Sequence, residues 1–421
     1  MGKNSRVKCP EYEIAVECLN DSAYLEKFDL TLEEITGKII INPAHIEFDS
    51  LSAVPVVEDM NKPGKIALNG TMQISGGEVA WASLKLAAVD LNFDSRFTSL
   101  LGTAETYYDK LAPQGNIDLS LDRITFEKND AGQKTVKLGG TALFKNCSIG
   151  NTKPVSNIYA LLNIDTQYDI GVGMKDCKLM LEVQSLSFKG RPIENMTMKI
   201  PYDINNPDVA ISDFVGECLG GRIAGDAFIK TDSKGGFTEY NLDIAIVGVS
   251  SEKFLTPQAE ERSGGSLNGE IRIKGDFRDA QASKGRIIIE ATGLQLGGKN
   301  LISSIRTAIL EAIKKDLAFD NVKVQAFVKG SVVEISRMDL YGPTASLRGT
   351  GTYEPATDSI EVDFSAYSGA GKDEPHFIDT ITSGLGAAFL KVYVRGSLEE
   401  PNVKVEPLPI LKQTLKIIGT K

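Results

Sequence analysis

The chain has 421 residues, of which 42% are hydrophobic and 24% charged. That is the composition of folded protein, but the length exceeds the roughly 250–300 residues that one core serves, so two domains or one extended sheet are expected. Its 46 basic and 56 acidic residues give a net charge of -10. This excludes nucleic acid as the main partner, because phosphate binding needs a basic footprint, while local basic patches leave a membrane surface open.

The start, Met1-Gly2-Lys3-Asn4-Ser5-Arg6, is not a signal peptide, and Arg6 stands where a myristoylation signal needs Ser or Thr. Strand-like text begins already at Tyr12-Glu13-Ile14-Ala15-Val16, so the chain is expected to begin inside a structure, as a fragment of a longer, anchored protein would. Ile66, Leu68, Gly70, Met72 and Ile74 alternate into the Gly76-Gly77 turn. Ile117, Leu119 and Leu121 follow, then Val136, Leu138, Gly139-Gly140 and Leu143. The clearest cases come later: Ile271, Ile273 and Gly275; Leu347, Gly349, Gly351 and Tyr353; Ile360, Val362 and Phe364; and Leu390, Val392, Val394 and Gly396. Period-two alternation punctuated by Gly and Pro turns at irregular spacing predicts a mainly β fold, an antiparallel meander with one apolar face.

Helices are expected to be few. The best spans 300–317, where Leu301, Ile305, Ala308, Ile309, Ala312 and Ile313 share a stripe, and it reads as a lid on the sheet. Weaker candidates are 97–111, 155–162, 377–390 and 410–418. In the last, Leu411 and Leu415 oppose Lys412 and Lys416, which suits contact with an acidic membrane surface. So few helices leave much of the apolar face bare, and something else must cover it: a second sheet or an apolar guest.

The residues suggest no catalytic, cofactor or metal site. Cys9, Cys18, Cys147, Cys177 and Cys218 are scattered with no C-x-x-C pair, so they read as buried or strand-face thiols rather than disulfides or zinc ligands. His45 and His376 stand far apart, and there is no G-x-S-x-G elbow. Ser368-Gly369-Ala370-Gly371-Lys372-Asp373 fails as a phosphate loop, since Ala366 holds the first glycine position and Asp373 replaces the magnesium-binding Ser or Thr. Acidic residues fall on the polar side of the strands, and the only tryptophan is Trp81. A glycosidase would need two carboxylates converging in one cleft. The chain is therefore expected not to be an enzyme.

The second half resembles the AsmA-like C-terminal region of bacterial envelope proteins. The run Gly265-Ser266-Leu267-Asn268-Gly269-Glu270-Ile271-Arg272-Ile273-Lys274-Gly275 carries the likeness, with Leu347-Arg348-Gly349-Thr350-Gly351-Thr352-Tyr353 and the ending Val392-Tyr393-Val394-Arg395-Gly396-Ser397-Leu398-Glu399-Glu400-Pro401-Asn402-Val403. It covers about residues 216–409, which divides the chain into an AsmA-like region, 216–421, and a β-rich segment, 1–215, continuing an absent upstream part. The resemblance implies an elongated, twisted meander curled into a hydrophobic groove, related to bridge-like lipid-transfer proteins. It implies a place in the periplasm and cell envelope, anchored in the inner membrane through a segment missing here, and a role in phospholipid transport and outer-membrane assembly. Phospholipid acyl chains are then expected along Ile271, Ile273, Leu347, Tyr353, Ile360, Val362, Phe364, Val392 and Val394. The rival expectation is a structural or adhesive β-rich protein with a dry core and no lipid.

Overall fold

The computed structural model describes residues 12–26, 30–56, 64–92, 112–129, 132–150, 155–170, 173–202, 208–232, 237–255, 265–294, 301–314, 318–343, 346–366, 390–398 and 400–407. Among these residues, 21 strands form one antiparallel sheet in which each strand pairs with the next in sequence, and the sheet does not close on itself. The chain divides into two compact units, residues 1–214 with 231–236, and residues 215–230 with 237–421.

Unit 1 contains β1 (Ile14–Leu25), β2 (Leu30–Ile41), β3 (His45–Pro55), β4 (Lys65–Ser75), β5 (Glu78–Asn92), β6 (Gln114–Lys128), β7 (Lys134–Ile149), β8 (Val155–Ile170), β9 (Gly173–Phe188) and β10 (Arg191–Tyr202), and the division falls within β11 (Val209–Cys218). The β4–β5 turn is Gly76-Gly77 with φ of 61° and 83°, the left-handed pair that matches strand twist in a two-residue hairpin. Lys189-Gly190 turns β9 into β10 the same way, at 47° and 78°.

Many unit 1 strands carry a bulge at a residue held near φ +50°: Glu34, Ser50, Asp90, Asn146 and Asn157. The pairing register shifts around Glu34, Ser50, Asp90, Asn146 and Asn157. A bulge frees an amide from the ladder, and neighbouring side chains take it up. The Ser50 amide donates to Asn69 Oδ1 at 2.7 Å and the Asp90 amide to Asp118 Oδ1 at 2.8 Å. Each bulge increases local twist and coiling, and shifts the side-chain alternation by one.

This shift explains one departure from expectation. Residues 155–162 form the start of strand β8, not a helix. The bulge at Asn157 separates Val155 and Ile158 by three residues, imitating helical spacing, although Ile158, Ala160, Leu162 and Ile164 then alternate strictly. Leu143 departs too, since Ala142 pairs with Leu119 and Leu162 on the apolar face and Leu143 is 40% exposed on the other.

Unit 2 contains β12 (Gly221–Thr231), β13 (Phe237–Ser250), α1 (Ser251–Leu255), β14 (Ser266–Asp276), β15 (Asp279–Thr292), α2 (Leu301–Ile313), β16 (Asn321–Lys329), β17 (Val332–Tyr341), β18 (Ser346–Glu354), β19 (Ser359–Ala366), β20 (Leu390–Gly396) and β21 (Pro401–Pro407). Helix α2 forms where the hydrophobic stripe places it. It buries Leu301, Ile302, Ile305 and Ile309 in a cluster with the inward residues of β16–β20. Among the described residues, no helix is long and apolar enough to cross a membrane. The candidate helices 97–111 and 410–418 lie outside the described residues, as does 377–389; Leu390 opens strand β20.

On the opposite face of β17, Asp339 is fully buried beneath two arginines. It accepts hydrogen bonds from Arg337 Nε, Arg348 Nε at 2.7 Å and Tyr341 Oη at 2.9 Å. Burial pushes its carboxyl upward, but bonds from Arg348, Tyr341 and Arg337 outweigh it and hold the group below its ordinary value. The stabilisation from these bonds is therefore present above the unfolded aspartate value near 3.9 and is lost as pH falls through the lower folded value. Asp339→Asn is expected to cost about 2 kcal/mol at neutral pH. Urea unfolding of both proteins against pH checks this: the gap narrows below the ordinary aspartate range, and a pH-independent gap contradicts it.

Candidate functional site

Every residue expected to line a groove lies on one face of unit 2. Its register runs Ile271, Ile287, Ala326, Ile335, Gly351, Val362, Val394 and Val403 across β14–β21. A parallel row contains Val324, Met338, Gly349, Phe364, Val392 and Val405. The two ends of this face differ. Leu347, Ile360, Val362, Phe364, Val392 and Val394 are at most 2% exposed and pack in the cluster that contains α2. Gly349 makes room for this packing, because a Cβ there would stand 2.6 Å from the Phe364 ring. Tyr353 packs at the cluster's margin, and its hydroxyl donates to Asp358 Oδ1 at 3.0 Å. Ile271 and Ile273 are only half-buried. Leu411, Lys412, Leu415 and Lys416 lie outside the described residues.

A second apolar face is in unit 1. Its register builds continuous rows, each residue opposite the next. One row runs Ala53, Ile66, Ala88, Leu119, Ala142, Leu162, Leu181 and Met198 across β3–β10. The adjacent row runs Leu51, Leu68, Leu86, Leu121, Gly140, Ile164, Leu179 and Ile200. Towards the other end of the strands lies Ile14, Ile41, Ile46, Met72, Ala82, Phe126, Val136 and Tyr168. At about 4.8 Å per strand, eight strands give an apolar floor on the order of 35 Å across, comparable with the ~30 Å hydrocarbon thickness of a bilayer.

Among the described residues no helix packs on this floor, since α1 and α2 both belong to unit 2. Its small residues are buried: Ala82, Ala88, Ala142 and Ala160 are 3–4% exposed. The leucines and isoleucines between them are half-buried and present side-chain surface. Alternating large and small residues make a grooved surface, and Gly140 admits nothing larger, because a Cβ there would lie 2.1 Å from the Ser120 carbonyl oxygen.

Cys18, Cys147 and Cys177 are free, buried thiols on the same face. Burial, followed by the negative charges of Asp176 and Asp165, pushes the Cys177 thiol up to about 11. It therefore stays protonated near neutral pH and behaves as a small apolar group.

The reverse face is charge-paired and mainly polar, with Leu143, Val89 and Met180 exposed among its charges. Lys145 bridges Asp90 at 2.5 Å and Asp118 at 2.7 Å, and Lys128 Nζ meets Glu78 at 2.8 Å. These pairs are largely open to water and add little stability, but they keep this face wet. Among the described residues no group of three or more His, Cys, Asp or Glu is placed to hold a metal ion.

The unit 1 floor was hard to read from sequence because bulges change its parity within single strands. In β6 the inward set is Ile117, Leu119 and Leu121, then Ile124 and Phe126, with the shift at Asp122-Arg123. The available signal was the pairing of such parity breaks with residues that tolerate left-handed backbone, as at Asn146 and Asn157. No family model matches the chain, and neither does any curated protein.

Proposed function

We propose that this is a non-enzymatic cell-envelope protein that shelters phospholipid acyl chains on the uncovered apolar face of unit 1 and supports lipid movement between the inner and outer membranes. The observation that carries the reading is the absence of a protein layer over that floor among the described residues. Apolar area left in water is unfavourable by about 25 cal/mol per Å2, so a floor of this extent favours an apolar occupant. Acyl chains lie along rows of Leu, Ile and Ala without needing any polar contact, and headgroups remain in water. The likeness of residues 216–409 to the AsmA-like region supports the same reading and supplies the envelope setting. Ile271 and Ile273 fit this use through their half-buried side chains.

The closed cluster under α2 favours the second reading, a structural β-rich protein with a dry core, for the part of unit 2 it occupies. The experiment that separates the readings is native mass spectrometry of gently purified protein, with chromatography of its organic extract. Phospholipid is expected at one or more molecules per chain. Empty protein and a lipid-free extract would reject the lipid reading and leave the structural one.

A further inference from the structure

We propose that the polar face of unit 1 carries a saccharide-binding platform built on Trp81, a function separate from the apolar floor behind it. Trp81 is the only tryptophan in the chain. Register places it between Gln73 and Glu127 on the polar face, while its neighbour Ala82 joins the floor. The indole therefore lies on the face opposite the apolar floor and contributes nothing to it.

Trp81 lines a shallow cavity of about 550 Å3 with Gln73, Glu127, Lys137, Thr135 and Gln167. That volume lies within the roughly 300–1,000 Å3 of small-molecule sites. One wall is fixed in place. Asp169, 4% exposed, accepts hydrogen bonds from Thr135 Oγ1 at 2.8 Å and Gln133 Nε2 at 3.2 Å. Gln167 bonds the same carboxylate, which holds Asp169 below its ordinary value chiefly through Thr135.

Of the other polar lining residues, Lys128 pairs with Glu78 and Asn129 with Gln133, and three have no such partner. Among the described residues, the side chains of Gln73, Glu127 and Lys137 have no hydrogen-bond or ion-pair partner. Other charges on this face do pair, Arg123 with Asp165 at 2.5 Å and Lys128, which also lines the cavity, with Glu78 at 2.8 Å. Unpaired donors and acceptors gathered beside an aromatic plate describe a ligand with the complementary layout.

A neutral pyranoside with equatorial hydroxyls has that layout. One face of its ring is a patch of C–H groups that stacks on an indole. Its rim hydroxyls both donate and accept, matching a carboxylate that accepts, an ammonium that donates and an amide that does both. With Lys128 already paired to Glu78, the one unpaired acid, Glu127, and the one unpaired base, Lys137, leave no net charge to select an ionic ligand. The polar lining is equally unsuited to an acyl chain.

Because Trp81 is the sole tryptophan, intrinsic fluorescence reports on this site without background. Cellotetraose, chitotetraose and maltotetraose are titrated into the full chain to millimolar concentration. At least one is expected to shift the emission saturably, and Glu127→Gln is expected to weaken that binding about tenfold. Saturation-transfer NMR provides a readout that survives Trp81→Ala, for which transfer is expected to vanish while circular dichroism and lipid content stay unchanged. No fluorescence response and no transfer with all three sugars overturns the proposal. So does equal transfer to Trp81→Ala, which would place any binding elsewhere.

Discussion

Val392→Asp is expected to abolish cooperative folding of the cluster around α2. Val392 is 0% exposed, pairs with Phe364 on one side and Val405 on the other, and belongs to the same cluster as Ile305 and Ile309. A carboxylate placed there meets apolar side chains on every side. Leaving an unpaired charge in such a site costs several kcal/mol, against about 5–15 kcal/mol for a whole domain. Ile273→Asp, on the half-buried stretch of the same face, is expected to cost only about 1 kcal/mol, since its carboxylate reaches water. Urea unfolding followed by circular dichroism and an amide NMR spectrum compares the two. Equal midpoints would mean that the cluster admits water, contrary to the packing described.

The double variant Leu119→Asp/Leu162→Asp is expected to behave in the opposite way, remaining folded and losing its lipid. The two residues flank Ala142 in one row of the unit 1 floor and are half-buried. With solvent able to reach them, two carboxylates disturb the strands little. An acyl chain laid over them must desolvate both, which outweighs what it gains from the neighbouring apolar area. Phospholipid recovered per molecule is expected to fall at least tenfold. Thr141→Asp, on the polar face between Ser120 and Asn163, is the control and is expected to leave lipid content unchanged. Lipid retained by the double variant would remove the floor from consideration as the binding surface.

Most of the architecture was legible because the relevant signals are local. Alternation in Ile360, Val362 and Phe364, the turn at Gly76-Gly77 and the stripe Leu301, Ile305 and Ile309 each depend on a few consecutive residues. Whether an apolar face is covered depends instead on tertiary packing. Val362 and Ile271 have the same alternating surroundings, yet one is 1% exposed under α2 and the other is half-buried. Nothing within either strand distinguishes them. The unit 1 floor was obscured for another reason: a bulge inverts which residues face inward, so Cys147 and Ile158 meet on the floor although their strands would otherwise turn them apart.

Because each strand of unit 1 bonds only its neighbours in sequence, a hairpin is also a unit of inheritance. Removing β7 and β8 together would bring β6 beside β9 with strand directions still antiparallel. Leu119 would then meet Leu181, which lies in the same row three strands further on. Duplicating a hairpin would be equally conservative. The extent of the floor can therefore change in steps of two strands without a new core being invented, as stacked-repeat proteins change length. A lineage carrying this sheet could match its span to different cargoes or distances by gene-level copying alone, whereas a single-residue insertion keeps the floor only where the sequence beyond it shifts its alternation to match, as at the bulges.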